Sequence, residues 1–155
     1  DSSEVWSSFR VARRAKVIKR NGTIDKTGAV RLLGAHSGYK KLLKGVVHER
    51  EICLKENTLK ITDRLIGSFK HAISRMHLHP NASCIVKNDL LIIKRNQYTI
   101  YMNLIGLNYN LIKSTYHPEF GLSIETNSLE IKLKGPHVSL NLSWIKDNGN
   151  SIFNR

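Results

Sequence analysis

Apolar and polar residues alternate along most of this chain. The segment 58–65 puts Leu59, Ile61 and Leu65 on one side and Thr58, Lys60, Thr62 and Arg64 on the other. Leu129, Ile131 and Leu133 alternate with Glu130, Lys132 and Lys134, and Val138, Leu140, Leu142 and Trp144 with Ser139, Asn141 and Ser143. An extended strand turns successive side chains to opposite faces, so a period of two predicts strands with one face in a core and one in water. Antiparallel sheets covered on one side carry this signature. Leu59, Ile61, Leu129, Ile131, Leu133, Leu140 and Leu142 are therefore expected to be largely buried.

Less regular strand-like runs occupy 5–18, 29–36, 46–54, 73–79, 89–94, 98–105 and 109–112. Short polar breaks divide them. Lys55-Glu56-Asn57, Lys87-Asn88-Asp89 and Arg95-Asn96-Gln97 read as hairpin turns, and Lys134-Gly135-Pro136 as a further turn. No segment carries a helical stripe, and 63–71 leaves room for a short turn at most. Many short, closely spaced strands predict an all-β fold, a two-sheet antiparallel β-sandwich or barrel with little or no helix. With 155 residues, no repeat and no low-complexity linker, the expectation is a single domain over 1–155 with a loose polar tail at 147–155.

Composition adds one strong feature. The net charge is +13, from 25 Lys and Arg against 12 Asp and Glu. Residues 1–50 hold twelve basic and four acidic residues (+8), residues 51–100 net +4 and residues 101–155 net +1. Such an excess favours an anionic partner, and a surface facing it should draw mainly on the first third. Cys53 and Cys84 are too few for a disulfide scaffold and form no CxxC, so both are expected as small core residues. No apolar run approaches the ~20 residues of a membrane helix. The chain opens on Asp1 with no leader, which reads as a fragment or a processed chain.

Three groups could carry chemistry. Arg75, His77 and His79 would project from one strand face, where two histidines could help hold a metal, contact a ligand or serve the sheet alone. His77 and His79 are weak metal candidates, because a third ligand cannot be located. In His48-Glu49-Arg50-Glu51, His48 and Arg50 share a face with Ile52 and Leu54, while Asp63 shares one with Leu59 and Ile61. A hairpin at Lys55-Glu56-Asn57 would bring Asp63 near Arg50 or His48, as a buried ion pair in the first instance and an acid–base pair in the second. The N-terminal stretch mixes Trp6 and Phe9 with Arg10, Arg13 and Arg14. That mixture suits sugar stacking with pairing of carboxylate or sulfate by arginine. It equally suits nucleic acid, or arginines that are solvated or packed on another part of a larger protein. As one strand, the stretch would send Arg10 and Arg14 to one face and Arg13 to the other. There is no GxSxG, phosphate-cradling glycine loop, HExxH or Cys–His signature, and no cofactor is expected.

Four segments in order resemble the heparinase II/III-like polysaccharide lyases. They are Asp1 to Ala15, with its Trp6, Phe9-Arg10 and Arg13-Arg14-Ala15; Ala35-His36-Ser37-Gly38-Tyr39 followed by Val47-His48-Glu49-Arg50; Leu59-Lys60-Ile61-Thr62-Asp63 leading to Met76-His77-Leu78-His79-Pro80; and Tyr116-His117-Pro118-Glu119-Phe120-Gly121. The resemblance covers nearly the whole chain. It implies the C-terminal antiparallel sandwich of a protein whose N-terminal part is a helical toroid, and it favours a periplasmic or cell-surface location. Such proteins cleave uronate-containing glycans by β-elimination: a base removes the proton alpha to the carboxylate and an acid protonates the leaving oxygen. The family's catalytic Tyr, Asn and His lie on the toroid or upstream of the segment matching Asp1, so no catalytic residue is carried onto this chain. Ser37 stands where the family pattern has Asp.

The expected function is thus to support a lyase cleft, without catalysis by this chain alone, and to contact an anionic polysaccharide. Trp6, Arg10, Arg13, Arg14, His36 and Tyr39 are the candidate substrate-binding residues. The expected partners are that polysaccharide and the toroid of the same parent protein; neither membrane nor nucleic acid is favoured. The other reading is a non-enzymatic module binding anionic polysaccharide or nucleic acid.

Overall fold

In the computed structural model, residues 4–7, 10–12, 14–40 and 45–147 are described. They form thirteen strands and no helix: β1 (Glu4–Ser7), β2 (Arg10–Ala12), β3 (Val17–Ile24), β4 (Val30–His36), β5 (Val47–Lys55), β6 (Thr58–Ile66), β7 (Ile73–His77), β8 (Ser83–Lys87), β9 (Leu90–Arg95), β10 (Tyr98–Asn103), β11 (Asn108–Tyr116), β12 (Ile124–Lys132) and β13 (His137–Lys146). β1 and β2 pair as a ribbon. An eight-stranded antiparallel sheet runs β3-β4-β5-β6-β13-β10-β9-β8, and a three-stranded one runs β11-β12-β7. This is the all-β, two-sheet antiparallel sandwich class that the alternation predicts.

Turn chemistry fixes the registers. Glu56, Asn88, Asp89 and Asn96 have φ of 48°, 49°, 57° and 54°. These are left-handed conformations that Asn and Asp tolerate better than most residues. At Asn88-Asp89 both central residues of a two-residue hairpin have positive φ, so the turn twists with its strands and pins Lys87 opposite Leu90. The Glu56-Asn57 turn likewise sets Lys55 opposite Thr58, and with it the alignment of every residue along β5 and β6.

Two compact units divide the chain: Asp1–Ala72 with Leu133–Ser139, and Ile73–Lys132 with Leu140–Arg155. The second has the deeper core. Leu91, Met102 and Leu142 line up across β9, β10 and β13, and Leu129 and Ile131 come from the three-stranded sheet; all are buried. The buried hydroxyl of Thr126 donates to the Leu78 carbonyl at 2.7 Å and is thereby satisfied. In the first unit Leu59 and Ile61 are only half-buried, as is Leu133. Leu32, Ile52 and Ile61 form one apolar row across β4, β5 and β6, and Val30, Leu54 and Leu59 the next, with Ile24 beside Val30. Ile24 is 73% and Leu32 49% exposed. Period two gives each residue its face but not how much of that face is covered.

Other expectations shift at the edges. The run 5–18 is three strands, not one. β2 ends at Ala12, and Arg14 lies beyond it in an exposed loop, so Arg10 and Arg14 do not share a strand face. β3 continues through Asn21-Gly22 to Ile24, and β8 had no distinct alternation to announce it. Cys53 and Cys84 are free and half-buried, not core.

Candidate functional site

A polar cluster in the first unit is built by β4, β5 and β6. Register places His36 opposite His48, and Arg50 opposite Asp63. Directly opposed residues share a face, as do residues two apart on one strand, so the four side chains form one continuous network. Gly38 N–H donates to His36 Nδ1 at 3.2 Å. His36 Nε2 and His48 Nδ1 are 3.0 Å apart, and His48 Nε2 lies 2.8 Å from Asp63 Oδ1. Arg50 Nε donates to Asp63 Oδ1 at 2.6 Å and Nη2 to Oδ2 at 2.9 Å, a bidentate fork.

The two ends of this chain dictate its protons. Asp63 is ionised: burial would push its carboxyl up, but hydrogen bonds from His48 and Arg50 and the guanidinium charge hold it well below the usual carboxylate range. His48 Nε2 therefore carries the hydrogen facing Asp63. At the other end His36 Nδ1 accepts from a backbone N–H and so carries a lone pair. His36 Nε2 must then hold its proton and donate it to His48 Nδ1. Both rings are fixed as Nε2–H tautomers by this assignment. Desolvation lowers the pKa of His36, helped by His48 and Arg50. The bond to Asp63 raises that of Arg50.

Asp63 is thus shared, contacting both of the partners that the sequence offered as alternatives. Its side chain is 5% exposed, whereas that of Arg50 is 44% exposed, so the carboxylate is the buried anchor and the guanidinium keeps a face toward solvent. Tyr39 sits over the far end of the network, its ring tilted against His36 with centroids 5.5 Å apart. The cluster presents an imidazole, a phenol and a cation side by side, held from beneath by one carboxylate. The Arg50 N–H groups not taken by Asp63 remain donors on a side chain that is 44% exposed.

The other candidates lie elsewhere. Trp6 falls on β1 and Arg10 on β2, with their side chains outside the described residues; Arg13 lies outside them altogether. β1 pairs with β2, with Ser7 opposite Arg10. The structure brings together His36 and Tyr39 but does not describe a link from them to the arginines. His77 is exposed on β7, while His79 lies past the strand end. The His79 Nδ1 accepts the Asn81 N–H at 3.1 Å and its ring tilts against Tyr116. No group of three or more His, Cys, Asp or Glu suited to a metal occurs among the described residues. Arg75 pairs instead with Glu130 across β7 and β12 at 2.7 Å. Sequence reasoning missed the His36–His48 link. Ten residues separate His36 from Val47, too many for a tight turn to set the β4–β5 register.

Fold and site together define an antiparallel β-sandwich bearing a charged network on a sheet face. The chain belongs to the heparinase II/III-like family: residues 1–150 match the family model described as Heparinase II/III-like, C-terminal. None of the curated proteins matches it. Among solved structures it is similar to a heparinase III gene product, with a TM-score of 0.64 and 9% identity over 88% of this chain. The same product with methylated lysines gives a TM-score of 0.61 at 10% identity. The chain spans 22% of the length of these solved chains, and at such identities the likeness is one of fold.

Proposed function

We propose that this chain is the sandwich portion of a polysaccharide lyase that cleaves uronate-containing anionic glycans by β-elimination, supporting the cleft without being catalytic alone. The carrying observation is the family match over residues 1–150 by a chain that spans only 22% of a heparinase III. On this reading the rest of the parent protein, a helical toroid and the strands upstream of Asp1, supplies the catalytic groups. The half-covered apolar rows around Leu32 and Ile52 fit that reading, because an isolated domain seldom leaves neighbouring strands' apolar rows open to water. The parent's upstream segment is the natural cover. His36 and Tyr39, with Trp6, Arg10, Arg13 and Arg14, are the proposed glycan-contacting residues, and the +8 over residues 1–50 supplies the attraction.

The test is binding of a heparin-like glycan, an alginate-like glycan and DNA at matched ionic strength. The reading expects a glycan to bind better than DNA. It also expects Arg10→Ala with Arg14→Ala to weaken binding more than Lys132→Ala with Lys134→Ala. Tighter binding of DNA, or equal losses from the two double variants, would leave only a general polyanion binder.

A further inference from the structure

The opposite face of the same strands holds a second polar site. Arg31, Glu51, Cys53, Lys60, Thr62 and Arg64 point away from the His48–Asp63 network, and with His137 and Ser139 from β13 they line a cleft of about 380 Å³. That volume suits a small ligand or a short stretch of a longer one. All of these residues belong to the first unit.

Its charges are not balanced from within. Three cations, Arg31, Lys60 and Arg64, face one carboxylate, Glu51. Glu51 is taken by Arg31 at 2.8 Å. The nearby Glu49 is held by Lys19 at 2.9 Å, which leaves Arg64 at 3.6 Å, beyond a normal hydrogen bond, with its side chain 58% exposed. The Lys60 side chain makes no hydrogen bond or ion pair among the described residues, and His137 is exposed. On the cleft floor Thr62 Oγ1 and Ser139 Oγ are 3.0 Å apart. One hydroxyl donates to the other, so the second hydroxyl hydrogen is free to point at a ligand.

We propose that this cleft is a second saccharide-binding site, taking a linear acidic oligosaccharide along β6. An apolar ligand would meet a polar lining and a cation would meet excess positive charge, so the donor set selects oxyanions. Lys60 and Arg64 are four residues apart on one strand, about 13 Å at the rise of an extended chain. They are too far apart to clamp a single anion and well placed to meet two on successive sugars. The free hydroxyl hydrogen between them suits a sugar hydroxyl or ring oxygen. Sulfate and uronate carboxylate share this chemistry. The inference rests on the anionic-glycan reading but assigns the glycan to a different face from His36 and Tyr39.

The experiment is calorimetric titration of the protein with three probes at low and moderate salt: a sulfated heparin tetrasaccharide, an unsulfated uronate tetrasaccharide of the same length, and inorganic sulfate. Lys60→Gln with Arg64→Gln is compared with Lys87→Gln with Lys94→Gln, exposed lysines of the second unit. The expected result is a loss of about tenfold or more from the cleft pair and under about twofold from the control pair, each contact being charge-assisted. Stronger binding of the sulfated tetrasaccharide assigns the oxyanions to sulfate, and equal binding assigns them to carboxylate. Saturation by inorganic sulfate as tightly as by either tetrasaccharide overturns the two-anion geometry. Equal losses from the two pairs overturn the cleft while leaving glycan binding intact. Absence of binding by every saccharide overturns both the cleft and the glycan reading. Thermal melts matching the parent confirm that the variants fold.

Discussion

Replacing Asp63 by Ala removes the acceptor on which His48 and Arg50 both depend. Three hydrogen bonds of 2.6–2.9 Å are lost, and the site lies 5% exposed in the parent. Hydrogen bonds to a charged group contribute about 1.5–3 kcal/mol each. Their sum overstates the loss, because the Arg50 side chain is already 44% exposed and rehydrates when freed. His48, with its side chain 20% exposed, is left with a poorly hydrated Nε2–H. The expected cost is about 2–4 kcal/mol, in the range for breaking one side of a partly buried ion pair. With a urea m-value of about 2 kcal/mol/M, the midpoint should fall by roughly 1–2 M with unchanged slope. Asp63→Asn keeps the volume and one acceptor oxygen, so it should fall between parent and Ala. Urea melts followed by circular dichroism give both numbers. A change below about 0.5 kcal/mol for Asp63→Ala would refute the claim that the carboxylate anchors this face.

The depressed pKa of His36 makes the fold sensitive to mild acid: stability should be full above the ordinary histidine value of 6.5 and decline as pH falls from there toward the lowered folded value, since the unfolded chain takes up the proton first. His36→Gln should flatten that slope between pH 7.5 and pH 5.5 in urea melts, and an unchanged slope would remove His36 as the cause. Asp63 acts lower down: its contribution is present above the ordinary carboxylate value and lost as pH falls below it, so acid unfolding of Asp63→Ala should be shallower there than that of the parent. In the β8–β9 turn, Asn88→Val forces a branched side chain to φ near +49° and should cost about 1–2 kcal/mol, whereas Asn88→Gly should be neutral or slightly stabilising.

Much of the fold was legible because its information is local. The Glu56-Asn57 and Asn88-Asp89 turns are announced by their residues, and a two-residue turn fixes everything paired beyond it. That is how Asp63 could be placed near Arg50 and His48 from sequence. The link from His36 to His48 depends instead on a register set between strands ten residues apart in sequence, which no short-range pattern encodes. β8 was missed because Ser83–Lys87 is short and lies at the sheet edge, where one side of the strand needs no partner. The cleft of Lys60 and Arg64 was visible only as the polar half of an alternating strand, and such a half is usually solvent-facing. Neighbouring strands had to be aligned before its cations could be seen to outnumber its carboxylates.

The central claim, that this is the non-catalytic sandwich portion of a lyase, is tested most directly by the rise in ultraviolet absorbance that marks an unsaturated uronate product. Several uronate glycans are offered in parallel to the full-length parent and to this 155-residue chain. β-Elimination needs base and acid both within hydrogen-bond reach of one sugar, and on the proposed reading those groups lie outside this chain. The account predicts turnover of at least one glycan by the parent and none by the chain. Clear turnover by the pure chain, or a parent that folds yet cleaves none of the glycans, would contradict it.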